Sequence, residues 1–129
     1  MNKAKILVVD DDPKLSRLIR LVLEGSRLYT VTEVNRPNDA LRVAHEFQPD
    51  AILMDVDMPG KDGGEVAREF AADAALNGVP LIFVTSLVTG VVSESEAVVR
   101  GGRLFLSKPV NTTVLLRTLE SLLAGGARA

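Results

Sequence analysis

Cysteine is absent from all 129 residues of the chain, which excludes a disulfide framework, a thiolate metal site and a thiol nucleophile. Histidine is nearly absent too: His45 stands alone between Ala44 and Glu46, where a surface position is expected rather than a phosphocarrier role. The chain lacks a strong excess of either charge, with a net charge of −2. It therefore shows no clustered basic footprint, and no direct contact with nucleic acid is expected. No apolar run approaches the roughly 20 residues of a membrane helix, and Met1-Asn2-Lys3-Ala4-Lys5 leads straight into a strand-like run with no signal-peptide core. A cytoplasmic protein with no membrane contact is expected. Internal repeats, low-complexity stretches and linkers are also missing. The chain reads as one domain over residues 1–124, followed by a short flexible tail at 125–129.

An apolar content of 47% beside 25% charged residues is enough for a globular core. Five strand-like runs alternate with helix-like ones. The strands are Ile6 to Val9, Leu28 to Val34, Ala51 to Met54, Leu81 to Thr85 and Leu104 to Leu106. Helical spacing of apolar residues predicts helices over Pro13 to Glu24, Pro37 to Phe47 and Gly63 to Leu76, and a last helix capped by Asn111 that runs to about Leu123. Gly25 is expected to cap the first helix at its C-terminus, and Asp62 to cap the third at its N-terminus. A fourth helix is expected from the Ser93-Glu94-Ser95-Glu96 capping box to about Gly101. Strand–helix alternation with nearly continuous apolar strands predicts an α/β fold, because parallel neighbours need crossover connections and helices covering both faces.

In such a sheet, ligands bind in the crevice outside the carboxyl ends of the strands. Four groups end strands there: Asp10-Asp11, Asp55, Thr85 and Lys108. Two carboxylates about 4 Å apart repel by roughly 4 kcal/mol at an effective dielectric near 20. Three acids together thus call for a cation, and all-oxygen ligation favours a hard ion such as Mg²⁺, completed by water and phosphate. Read locally, Asp10-Asp11-Asp12-Pro13 would only start a helix, acids being favoured at its N-terminus; Asp12 suits that role best.

The acidic pair, the run Leu53-Met54-Asp55-Val56-Asp57-Met58-Pro59-Gly60, Thr85-Ser86 and Lys108-Pro109 occur in order, each after its strand. Together they resemble the receiver domain of bacterial two-component response regulators, over Lys5 to about Leu123. The resemblance implies a flavodoxin-like, doubly wound sheet of five parallel strands in the order 2-1-3-4-5, with five helices on both faces. It implies that Asp55 accepts a phosphoryl group from a sensor histidine kinase or a histidine phosphotransfer protein. It implies that Asp10, Asp11, Asp55 and the backbone carbonyl of Asp57 hold Mg²⁺, with Mn²⁺ as a substitute. Lys108 would pair with Asp55 and then with the phosphoryl oxygens, while Thr85 would offer them a hydroxyl. Phe105 would change rotamer with the switch, and Pro109 would follow a cis peptide bond. Signal would leave by the face of the fourth helix, fifth strand and fifth helix, toward an unidentified downstream protein or a second copy of the chain. The domain would catalyse only its own phosphorylation and dephosphorylation.

The chain also departs from the receiver pattern. Phe105 lacks the hydroxyl of the more usual Tyr. The stretch Ser86-Leu87-Val88-Thr89-Gly90-Val91-Val92 is unusually apolar for its place, either as a docking patch or buried against the core. Leu87 and Asp57 are expected to border the phosphoryl group, with Leu87 shielding it from water. Two other classes compete. A receiver-like binding module that is never phosphorylated would typically have lost an acid or the lysine; all are retained here. Asp55-Val56-Asp57 is also similar to the Asp-x-Asp pair of haloacid-dehalogenase-like phosphatases, but Pro59 and the mid-chain position disagree with that pattern.

Overall fold

The computed structural model describes residues 3–86, 98–100 and 103–124. Its elements, in order, are β1 (Ala4–Val9), α1 (Pro13–Gly25), β2 (Tyr29–Val34), a 3₁₀ turn (Pro37–Asp39), α2 (Ala40–Phe47), β3 (Ala51–Asp55), α3 (Gly63–Ala72), β4 (Leu81–Thr85), β5 (Val98–Arg100), β6 (Arg103–Ser107) and α4 (Thr112–Ala124). The sheet order is β2-β1-β3-β4-β6-β5. Strands β2, β1, β3, β4 and β6 are parallel throughout and form the expected 2-1-3-4-5 arrangement, with β6 as the fifth parallel strand.

Alternate residues of the central strands feed two cores, one on each face. Ile6, Val8, Leu53, Ile82, Val84 and Leu106 pack with Ile19 and Leu23 of α1 and with Val114, Leu115 and Leu119 of α4. On the other face Leu7, Val9, Ile52, Met54 and Phe83 meet Ala40 and Ala44 of α2 and Val66 and Phe70 of α3. All five residues of β3 are buried. This double covering explains why the strands read as continuous apolar runs rather than alternating ones.

The fourth helix is corrected where it can be compared. Val98–Arg100, expected to be its end, is instead an edge strand pairing antiparallel with β6, with Arg100 opposite Arg103. Two adjacent valines favour a strand, and a Gly-Gly pair between two such runs is a hairpin signal. The capping-box residues 93–96 lie outside the described residues, as do Leu87, the rest of the apolar stretch to Val92, and the tail 125–129. Four α-helices, not five, stand among the described residues.

Helix ends are set by side chains competing for backbone groups. Asp12 caps α1 by accepting from Lys14 N at 3.0 Å, and Asn111 caps α4 by accepting from Val114 N at 3.1 Å. Asp62 caps α3 through Glu65 N at 2.9 Å. At the far end of α1 the cap is Ser26 rather than Gly25: its hydroxyl donates to Leu23 O at 2.6 Å, and Arg27 takes the left-handed conformation with φ 67. Helix α3 stops at Ala72, short of Leu76, because the Asp73 carboxylate accepts from Ala75 N at 2.9 Å and turns the chain. His45 pairs with that same Asp73 at 2.6 Å on an exposed flank, where the imidazole holds the carboxyl below its usual range. Among the described residues no helix is long and apolar enough to cross a membrane.

Candidate functional site

Strand register brings the crevice together. Val9 lies opposite Met54, so Asp10 emerges level with Asp55. Asp55 lies opposite Val84, which puts Thr85 one step beyond it, and Thr85 faces Ser107, so Lys108 follows at the same edge. Backbone bonds from Asp10 N to Val34 O, Val56 N to Val84 O and Lys108 N to Thr85 O, each 3.0 Å, carry the pairing past the strand ends. Residues far apart in sequence thus meet in a space a few ångströms wide.

Asp10, Asp55 and Thr85 are 3%, 2% and 4% exposed, among the few buried polar side chains of the described residues. One carboxylate oxygen from each of Asp10, Asp11 and Asp55 lies within 4.8 Å of the others. Lys108 Nζ stands 2.9 Å from Asp55 Oδ1 and 4.0 Å from Asp10 Oδ2. Asp55 Oδ1 also accepts from Asp57 N at 3.1 Å. The other oxygen, Asp55 Oδ2, is buried without a hydrogen-bond partner. An orphaned carboxylate oxygen is costly unless something else satisfies it. The all-oxygen donor set, the crowding of acids and this orphan suit a hard divalent cation.

Titration reflects the crowding. Burial, aided by the charge of Asp55, pushes the Asp10 carboxyl up to about 6 against a backbone N–H from Asp12 that favours the anion. Asp11 is raised as well, by desolvation and then by its contact with Asp55. Burial alone would lower the Lys108 ammonium, but its hydrogen bond to Asp55 and the charges of Asp10, Asp55 and Asp57 outweigh that and raise it.

A carboxyl whose folded pKa is raised contributes stability below its unfolded pKa, and that contribution is lost as pH rises through the folded value. For Asp10 the window runs from 3.8 to about 6. Asp10→Asn should therefore stabilise the metal-free protein by about 1–3 kcal/mol at neutral pH, with the gain fading below pH about 4. Urea unfolding with chelator across that range measures it.

A second polar layer, not apparent in the sequence, supports Asp10. Asn35 Nδ2 donates to the Asp10 carbonyl at 2.7 Å and to Ser16 Oγ at 3.0 Å. The fully buried Ser16 donates to Glu33 at 2.7 Å, and Glu33 pairs with Arg20 at 3.3 Å. Ser16 among the apolar positions of α1 and Asn35 directly after β2 were the only available signals. In the sequence Gly63 marks only the start of the third helix, yet a Cβ there would overlap the carbonyl oxygen of Asp55. Asp57 also does more than its backbone suggests, since its carboxylate receives Thr85 Oγ1 at 3.3 Å. Phe105 lies behind the crevice, stacked on Phe83 with centroids 5.3 Å apart. The Lys108-Pro109 peptide is cis.

Residues 6–120 match the response regulator receiver domain family. The chain belongs to that family. Among relatives of this receiver domain, Protein PilH of Pseudomonas aeruginosa is 34% identical over 125 residues, covering 95% of this chain and 99% of the relative. The polar-differentiation response regulator DivK of Brucella anthropi is 31% identical over 119 residues, covering 92% of this chain and 94% of DivK. The solved structure of chemotaxis protein CheY4 of Vibrio cholerae has a TM-score of 0.80 at 26% identity, covering 95% of this chain and 100% of that one. Receiver domains are the signalling modules of two-component response regulators and typically bind Mg²⁺; the cluster of Asp10, Asp11 and Asp55 provides acids for such an ion.

Proposed function

We propose that this receiver domain is a phosphoacceptor switch in which Asp55 takes a phosphoryl group from a histidine of a sensor kinase or phosphotransfer protein. The observation that carries the reading is the asymmetry of the Asp55 carboxylate. Oδ1 is held by Lys108 and Asp57 N, while Oδ2 is buried and unpartnered beside two other acids. A carboxylate held by one oxygen presents the other as a nucleophile. Oδ2 attacks phosphorus, the P–N bond to the donor imidazole breaks with its electron pair leaving on nitrogen, and an aspartyl phosphate forms.

Asp10, Asp11, Asp55 and the Asp57 backbone carbonyl would hold Mg²⁺, or Mn²⁺ in its place, which supplies positive charge for the phosphoryl oxygens. Lys108 enters the step already paired with Asp55, so its ammonium can follow charge onto the transferring group with little reorganisation. The Thr85 hydroxyl gives a further donor, and Phe105 on its Phe83 stack is the aromatic expected to respond. Output is assigned to the flank of β6 and α4, toward a downstream protein or a second copy of the domain. The receiver occupies residues 1–124.

Intact-protein mass after incubation with Mg²⁺ and acetyl phosphate tests the reading. One added phosphoryl group, mapped to the peptide containing Asp55 and abolished by chelation, is the expected result. An unchanged mass with acetyl phosphate and with histidine-phosphorylated donors alike would overturn it.

A further inference from the structure

The side chain of Asp57 is not needed for the chemistry just described, which uses only its backbone. Yet it is half-buried and reaches across from the loop after β3 to the end of β4. Its Oδ2 receives Thr85 Oγ1 at 3.3 Å, Ser86 N at 3.4 Å and Ser86 Oγ at 3.5 Å. One carboxylate oxygen thus gathers two hydroxyls and an amide at the end of β4. These are the donor types that the oxygens of an aspartyl phosphate require, and Thr85 Oγ1 cannot give its one proton to two acceptors.

We propose that the Asp57 carboxylate is a latch: it stands in for the phosphoryl oxygens in the unmodified protein, holding Thr85 and Ser86 until a phosphoryl group on Asp55 displaces it. This inference rests on the phosphoacceptor reading for its trigger, though the latch itself exists in the unmodified domain.

All three distances exceed the usual 2.7–3.2 Å range for N–H···O bonds and the shorter range for hydroxyl donors, so the latch is loose. A phosphoryl group takes Asp55 from one negative charge to roughly two, spread over oxygens that extend from the residue two places before Asp57. Repulsion then drives the carboxylate outward as the new oxygens compete for its donors. Asp57 is in this sense a positioning residue, acting through Thr85 and Ser86 rather than on phosphorus. It sets a threshold, because the phosphoryl group must break the latch before it gains these donors.

The test compares wild type with Asp57→Asn and Asp57→Ala, using two readouts. The first is the Ser86 amide and Thr85 methyl NMR signals of the unmodified, metal-free protein. The latch requires the Ser86 amide signal to move upfield in Asp57→Ala, with a smaller move in Asp57→Asn, which keeps an uncharged acceptor. The second is equilibrium titration with beryllium fluoride in the presence of Mg²⁺, a stable mimic of a phosphoryl group on a carboxylate. Loss of one competing hydrogen bond to a charged group should tighten apparent binding about tenfold in Asp57→Ala. Asp57→Asn should fall between that and wild type, a ranking by charge that a purely structural role would not produce. Unmoved Ser86 and Thr85 signals in both variants would overturn the latch, as would equal beryllium fluoride affinity in all three proteins. If beryllium fluoride and acetyl phosphate both fail on wild type, the phosphoacceptor reading fails, and the NMR comparison still decides whether the latch exists.

Discussion

Asp55→Asn is expected to eliminate phosphoryl uptake entirely while leaving the domain folded. The substitution changes one atom at a buried position that is 2% exposed, and it keeps the shape of the side chain. The amide oxygen can still accept from Lys108 Nζ and from Asp57 N, the two partners of Oδ1 at 2.9 and 3.1 Å. The amide nitrogen then stands where Oδ2 was, and it is neither a nucleophile nor a cation ligand. Losing one of three clustered negative charges relieves repulsion on Asp10 and Asp11, so the unfolding midpoint should hold or rise. Intact mass and thermal unfolding together check this. A variant that still gains a phosphoryl group would place the acceptor elsewhere, and one that unfolds would show that the ion pair with Lys108 is structural.

Gly63→Ala should do comparable damage by a steric route. The first residue of α3 packs directly over the end of β3, and its N–H donates to Val56 O at 3.2 Å. An added Cβ would overlap the Asp55 carbonyl oxygen and sit 3.0 Å from Met54 Cγ. The backbone cannot give way as a flexible side chain would, so either α3 lifts or the end of β3 tilts. A cost on the order of 4 kcal/mol is expected. Because the residue pressed upon is Asp55 itself, cation binding should weaken about tenfold even where the protein remains folded, since a displacement near 1 Å is costly at a preorganised site. Gly25→Ala provides the contrast. Gly25 ends α1 in open space with nothing within 4 Å of a new Cβ. There alanine should be neutral or stabilising by up to about 1 kcal/mol. Urea unfolding and Mg²⁺ titration of both variants separate the two cases.

Most of the architecture was legible because its signals are local. Apolar runs such as Ile6 to Val9 and Ala51 to Met54 become buried strands under nearly any packing, and Asp12, Asp62 and Asn111 cap helices with bonds spanning two or three residues. The segment before β6 carries two competing local signals, a Ser-x-x-Glu capping box and a Val-Val run before Gly-Gly. At Val98–Arg100, pairing with β6 prevailed over a helix start located several residues upstream.

The sequence by itself determined which groups end the parallel strands. Strand ends are set by local hydrophobicity, and the topology of a parallel sheet sends every carboxyl end to one edge. Asp10, Asp11, Asp55, Thr85 and Lys108 therefore had to gather. Only the tertiary structure decided how they divide their contacts: that Lys108 takes one oxygen of Asp55 and leaves the other unpartnered, that Asn35 and Ser16 hold the backbone at Asp10, that Gly63 lies against Asp55, and that the Asp57 side chain occupies Thr85 and Ser86. These outcomes depend on distances of a few tenths of an ångström between residues as many as 53 positions apart, as for Asp55 and Lys108, and no local pattern encodes separations of that kind.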